Sequence, residues 1–286
     1  MDISVIVPVY NSDAFLGRCC EALISQDYPR ARYEVLVVDN GSIDDSARIV
    51  LGFDGIRSLQ EPEKGSYAAR NHGLRHATGK IIAFTDADCA PRADWLSRIA
   101  SAMDLDRVQV ALGNRQYALG EGLMGMLASY ESRVAACTFA GSRPERYYAY
   151  TNNMAIRKTV FDRIGNFDLV QRGGDNLLLQ RALATLGGCE IVHYDSEMSV
   201  RHLEMVGASD YLEKKKIYGR VRACFRDREM PEPLPLLTRL DMARKTLRGH
   251  SPSDAVRFCF VLAAGMVLFE WAAAGHLISR ARGRFQ

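Results

Sequence analysis

The chain of 286 residues lacks any Cys-x-x-Cys pair, and its seven cysteines (Cys19, Cys20, Cys89, Cys137, Cys189, Cys224, Cys259) are odd in number and scattered. That spacing argues against a disulfide framework and a zinc knuckle, and for the reduced thiols of a cytosolic protein. No G-x-G-x-x-G follows the first apolar run, so a dinucleotide-binding reading has no phosphate loop to rest on. The N-terminal MDISVIVPVYN has neither the basic start nor the long apolar region of a secretory signal. The formal net charge of +3 gives no reason to expect nucleic acid. Internal repeats, low-complexity stretches and long linkers are also missing. With 48% hydrophobic and 25% charged residues, the composition is that of a globular protein able to bury a sizeable core.

The charge is unevenly spread. Residues 201–286 hold 16 Lys and Arg against 9 Asp and Glu, whereas residues 1–200 hold 21 against 25. A basic C-terminal part behind a slightly acidic body suits phosphates or anionic lipid.

ISVIVPVY (3–10) and YEVLVVD (33–39) are β-branched runs, too short for helices and too apolar for half-exposed strands, so both read as strands buried on two faces of a parallel sheet. Between them, 12–28 shows helical spacing through Phe15, Leu16, Cys19, Leu23 and Ile24, with Ser12 or Asp13 placed to cap it. A second helix is expected at about 44–51, a third over 69–78 closed by Gly79, and then the strand KIIAFTDAD. Strand–helix alternation of this kind implies an open α/β sheet, whose ligands lie beyond the carboxyl ends of the strands. Three such ends carry turn or acid chemistry: 8–11, 39–45 and 86–88.

In IIAFTDADCAP (81–91) an apolar strand ends on Asp86 and Asp88. Two explanations compete: a polar strand end turning at the surface, or a cation held for a phosphate-bearing substrate. Alternate residues of an extended strand point opposite ways, so one carboxylate can face a metal while the other reaches elsewhere. From about residue 110 the alternation breaks down. A strand is expected at VALGNRQYA, a strand and short helix within 148–168, and a clear helix over 173–188 with Asp175 at its start, as N-cap or as a reactive group. The most apolar stretch, 255–279, is long enough to span a bilayer, but Arg257, Glu270 and His276 interrupt it. Basic residues flank it on both sides (Arg239, Arg244, Lys245 and Arg248; Arg280, Arg282 and Arg284). Packed, interfacial and spanning helices are all open, with contact to an anionic cytoplasmic membrane face favoured.

VIVPVYN, VVDNGSIDDS, KGSYAARNHGL, FTDADC, NNMAIRK, FDRIGNFD, GGDNLLLQR and VRH occur in an order that resembles glycosyltransferase family 2, the inverting enzymes of GT-A fold, over about three quarters of the chain. The resemblance implies an α/β GT-A fold, with a Rossmann-like, mostly parallel central sheet flanked by helices and a helical C-terminal extension. It implies a nucleotide-sugar-binding half over 1–112, an acceptor-binding and catalytic half over 113–225, and the extension over 226–286.

The activity implied is metal-dependent transfer, with inversion, from a nucleotide sugar, most often UDP-linked, to a saccharide or lipid-linked hydroxyl in polysaccharide or glycolipid assembly. Asp88 becomes the Mn²⁺ or Mg²⁺ ligand, with His202 completing the shell. Asp86 touches the ribose or the metal shell. Asp39 accepts a hydrogen bond from the uracil ring, and Pro8, Val9 and Tyr10 line the nucleoside. Arg70, from the third helix, meets a phosphate or the base, with a surface salt bridge as the alternative, and Lys64 meets the donor or is simply solvated. Asp175 is the catalytic base. The acidic pair that precedes this helix in many members reads Gly174–Asp175 here, so the first acid is missing. Acceptor-facing residues are expected within 115–172, with Asn152, Asn153 and Arg172 as candidates. The alternatives are a sugar-nucleotide pyrophosphorylase, which would consume nucleoside triphosphate, and an inactive carbohydrate- or lipid-binding protein.

Overall fold

The computed structural model describes residues 1–117, 122–224 and 231–283, with backbone only for 222–224 and 275–283. Two compact units result: residues 1–116 with 139–203, and residues 117–138 with 204–286.

The first unit is built on β1 (Ile3–Val9), α1 (Asp13–Ile24), β2 (Tyr33–Asp39), α2 (Ser46–Val50), β3 (Ile56–Gln60), α3 (Ser66–His76) and β4 (Ile81–Phe84). It continues through β5 (Cys89–Pro91), α4 (Trp95–Met103), β6 (Val110–Tyr117), α5 (Gly122–Ala140, which runs through the second unit), β7 (Met154–Arg157), α6 (Lys158–Ile164), α7 (Gly174–Leu186) and β8 (Val192–His202). The sheet order is β3-β2-β1-β4-β7-β6-β8-β5. Pairing is parallel from β3 to β4 and antiparallel at β4–β7, β6–β7 and β5–β8, which makes the sheet mixed.

The period-two pattern sorts each central strand onto two cores. Ile3, Val5, Val7, Val35, Val37 and Ala83 pack under α1 and α4 with Leu16, Cys19, Leu23, Trp95 and Ile99. Ile6, Leu36, Val38, Ile82 and Phe84 pack on the other face under α3, α6 and α7 with Tyr67, Leu74, Phe161, Leu178 and Leu179. This two-sided burial is why those runs read as continuously apolar, and it aligns the carboxyl ends of β1, β2 and β4 on one edge.

Asn153, a sequence candidate for the acceptor site, is instead fully buried as a core hub. Its Oδ1 accepts from the Trp95 indole N–H at 2.8 Å, and its Nδ2 donates to the carbonyls of Asn114 and Met198. With both amide hydrogens used and no surface exposed, Asn153 is closed to a substrate.

The second unit contains α8 (Ala208–Cys224), α9 (Leu236–Leu247) and α10 (Pro252–Gly283). Phe258 and Val261 of α10 are buried together with Tyr130, Tyr211 and Ala243. A side chain at Gly219 would strike the Phe269 carbonyl, and one at Gly265 would press on Tyr211 and Lys215, so α8 and α10 approach backbone to backbone. Lys215 donates to Glu131 at 2.8 Å and lies over the Tyr211 ring.

Candidate active site

Two loops zip together to build the edge. Asn11, at φ +47 just past β1, accepts from the Ile43 N–H through Oδ1, and its own N–H donates to Ser42 Oγ. At the end of β2, Asp39 Oδ1 accepts from both the hydroxyl and the N–H of Ser42. Asp39 therefore does form the turn cap that a strand-end Asp suggests.

Asn40, which sequence reasoning missed, is buried beside it. Its Nδ2 donates to the carbonyls of Glu61 and Glu63, and its Oδ1 accepts from the Gly65 N–H. It pins the 61–65 loop to the strand end. An Asn in a D-N-G-S string reads as turn chemistry, and no local signal reveals a partner 20 residues away. Val9 is buried and offers only backbone, Pro8 is half-buried, and the Tyr10 ring and Lys64 are exposed.

The helix starts differ from expectation. Neither Ser12 nor Asp13 caps α1 with its side chain; Asp44 Oδ2 takes the Asp13 N–H and Ser46 Oγ takes the Ser12 N–H. The cap is supplied from another loop, which no local pattern encodes.

Asp86 follows β4 and receives Arg70 of α3, whose Nη2 lies 2.5 Å from its Oδ1. The Arg70 side chain is 4% exposed and that of Asp86 34%, so the guanidinium is committed to this carboxylate. Arg70 also sits over the Tyr67 ring, 5.3 Å from its centroid. The antiparallel β5–β8 ladder sets Cys89 opposite His202, and the Leu203 N–H donates to the Asp88 carbonyl at 2.7 Å. This pairing brings His202 Nε2 to 3.5 Å from Asp88 Oδ2.

Ligand atoms of Asp88, Cys89 and His202 lie within 4.8 Å of one another. Burial, reinforced by the charges of Asp88 and Asp86, pushes the Cys89 thiol far up. The Asp88 carboxylate is a hard oxygen donor of the kind Mn²⁺ and Mg²⁺ take, and the His202 imidazole a borderline nitrogen donor beside it.

Asp175 lies on the same contact chain. Its Oδ1 accepts from the Tyr67 hydroxyl at 3.1 Å and the Asn176 N–H at 3.0 Å, while Oδ2 has a long contact of 3.4 Å with the Thr151 N–H. Burial raises its carboxyl above the usual range; the Arg70 charge and those donors oppose the rise. The N-cap of α7 is Gly173, in the left-handed region at φ +83, so Asp175 is the second residue of the helix and not its N-cap. Asp175, Tyr67, Arg70 and Asp86 thus form one continuous chain of contacts, and Asp88, which meets His202, lies two residues beyond Asp86 in sequence. Among the described cysteines (Cys19, Cys20, Cys89, Cys137, Cys189, Cys259) none is disulfide-bonded; the Cys224 side chain lies outside the described residues, as do His276, Arg280, Arg282 and Arg284.

The chain is 38% identical over 186 residues to the glycosyltransferase AglE of Haloferax volcanii, covering 63% of this chain and 60% of that protein. It is 30% identical over 128 residues to the poly(ribitol-phosphate) beta-N-acetylglucosaminyltransferase TarS of Staphylococcus aureus, covering 43% of this chain and 22% of that one. It therefore spans only part of the length of these relatives. Among solved structures, the mannosyltransferase PcManGT of Pyrobaculum calidifontis in complex with GDP-Man and Mn²⁺ superposes with TM-score 0.63 at 20% identity, covering 98% of this chain and 85% of that one. TarS 1–349 in complex with UDP-GlcNAc superposes with TM-score 0.59 at 18% identity, covering 96% and 91%. The mixed eight-stranded sheet is thus that of the GT-A fold. The family model for glycosyl transferase family 2 matches residues 4–176, most of the first unit, and the chain belongs to that family.

Proposed function

We propose that the chain transfers a sugar, with inversion, from a nucleotide sugar to a hydroxyl acceptor, and that the donor is UDP-linked. The observation that carries this reading is the contact chain from Asp175 through Tyr67 and Arg70 to Asp86, with the Asp88–His202 pair two residues further along the chain. It sets one carboxylate for a proton beside others for a diphosphate.

Asp88 and His202 would hold Mn²⁺ or Mg²⁺, which when bound neutralises charge growing on the leaving diphosphate. Arg70 fixes Asp86 against the ribose. Asp39, with Oδ1 committed to Ser42, offers Oδ2 to the N3–H of uracil, over a floor of Pro8, Val9 backbone and the Tyr10 ring. Lys64 lies exposed in the pinned loop, available to phosphate. Asp175 removes the acceptor proton, and its raised affinity for a proton suits a base. Membership of the family favours glycosyl over nucleotidyl transfer.

The test is calorimetric binding of UDP, GDP, CDP and dTDP, each with Mn²⁺ and with EDTA, to the wild type and Asp88→Ala. Metal-dependent binding of UDP, lost in the variant, is expected. Binding of another base would overturn the uridine assignment, and no binding at all would overturn the donor reading.

The same reading places the enzyme on an anionic membrane face. Helix residues 252–274 are long and apolar enough to cross a bilayer, with mean hydropathy 1.7 over their most apolar 18 residues. Val256, Phe260, Val267 and Trp271, 66 to 72% exposed, recur at helical spacing along one face. The opposite face is buried against α8, which carries Glu213, Lys214, Lys215 and Lys216. A helix kept against such a partner cannot be ringed by lipid, so it lies in the interface plane. Residues 239–286 carry eight Lys and Arg against three Asp and Glu, a balance complementary to anionic headgroups.

A further inference from the structure

We propose that Tyr67 is the positioning residue of the catalytic base: its phenol stands in for the missing cap of α7 and turns Asp175 so that Oδ2 alone faces the acceptor. This rests on Asp175 as the base.

The N-cap of helix α7 is Gly173, which has no side chain with which to cap, so the first amides of the helix need acceptors from elsewhere. The Tyr67 hydroxyl supplies one. It accepts from the Asp175 N–H at 3.3 Å and donates to Asp175 Oδ1 at 3.1 Å, so a single oxygen grips both backbone and side chain of the same residue. The Asn176 N–H takes Oδ1 as well. Oδ1 is thereby saturated, and Oδ2, with one long contact to the Thr151 N–H, is the oxygen left to receive a proton.

The phenol can play this part because it stays protonated: burial and the Asp175 charge push it well above its ordinary range. Its ring is held by stacking on Phe167, with centroids 5.4 Å apart, and by the Arg70 guanidinium.

Gly174 gives an independent reason for the arrangement. A Cβ there would lie 3.0 Å from two ring carbons of Tyr67 and 3.2 Å from the Asp168 carbonyl. The glycine at this position leaves the ring its close seat against the start of α7. Among the described residues, the charged and titratable groups facing Asp175 are Tyr67 and Arg70, both on α3; Thr151 and Asn176 offer amides only.

The test is carboxyl-carbon NMR of the full chain labelled in aspartate, with Asp175 assigned by its loss in Asp175→Asn. Removing a hydrogen bond donated to a carboxylate raises its pKa, by about one pH unit for one such bond. Tyr67→Phe, which keeps the stacked ring, should therefore titrate Asp175 about one pH unit higher than wild type. Gly174→Ala, whose Cβ presses on the ring and lengthens its contact with the carboxylate, should shift it in the same direction by less. With the nucleotide sugar that binds best, Tyr67→Phe should lower kcat about tenfold with donor KM unchanged. An unchanged titration in Tyr67→Phe overturns the proposal. Full transfer by Asp175→Asn would instead overturn the base assignment on which it rests, so the two failures are distinguishable.

Discussion

Replacing Arg70 by Met separates what the buried cation does for stability from what it does for the donor. The wild-type guanidinium makes one charge-assisted hydrogen bond to Asp86 and one cation–π contact to Tyr67. Such a bond contributes about 1.5–3 kcal/mol and such a contact about 0.5–2 kcal/mol. Two terms oppose this sum. Met removes a nearly enclosed charge whose desolvation is unfavourable, and Asp86, with a third of its side chain exposed, can be rehydrated once its partner is gone.

The net loss should be about 2 kcal/mol, or a fall in Tm of roughly 4–8 °C for a domain of this size. With Asp86 no longer held, metal-supported UDP affinity should drop about tenfold, equivalent to about 1.4 kcal/mol. Thermal unfolding and calorimetry read the two effects separately. A variant that binds UDP as tightly as wild type would refute the view that Arg70 acts through Asp86. A variant of unchanged Tm would refute the energy accounting.

Asp175→Asn should reduce transfer by about 10²- to 10⁴-fold while leaving nucleotide affinity intact, by calorimetry and rate. In wild type, activity should fall with decreasing pH through a value above the ordinary carboxylate range, since the proposed role requires the ionised form. The stability sign is opposite: a folded-state pKa raised above the unfolded one favours the fold at low pH, and that contribution is lost as pH rises through the folded value. The Tm advantage of Asp175→Asn over wild type should accordingly widen from acid to neutral pH; a constant gap contradicts the burial argument. Asn153→Leu leaves the Trp95 N–H and two backbone carbonyls without their partner, at a cost of about 3 kcal/mol or more, visible as a large fall in Tm. For the membrane face, the wild type should float with vesicles containing anionic lipid and a Phe260→Glu, Trp271→Glu double variant should not. Self-association without flotation would show that a second copy covers this face instead.

The parts legible in the sequence are those where local pattern and burial agree. β1, β2, β4, α1 and α7 lie close to their expected spans because two-sided burial leaves uninterrupted apolar runs or clear helical periodicity. β3 escaped notice, since Ile56–Gln60 has only two half-buried positions among exposed ones. β5 has three residues, too few for any periodicity. At the site, Asp86 and Asp88 stood out by their placement at a strand end. Tyr67 did not, because a tyrosine at a helical core position looks like packing until its hydroxyl is seen on α7. Asn153 misled in the other direction: an amide within a motif suggests a ligand, yet its partners are a tryptophan and two carbonyls distant in sequence.

The short β5–β8 ladder has a consequence for metal binding. Asp88 precedes a three-residue strand at the end of the sheet order, and His202 closes the strand paired with it. End strands are where a fold opens most readily by itself. An ion gripping both residues would be a rivet across that seam, so occupancy and local order become a single equilibrium. Amides at Cys89 and Leu203 would then exchange with solvent more slowly as Mg²⁺ and nucleotide are added, turning the hem of the sheet into a gauge of how full the donor site is.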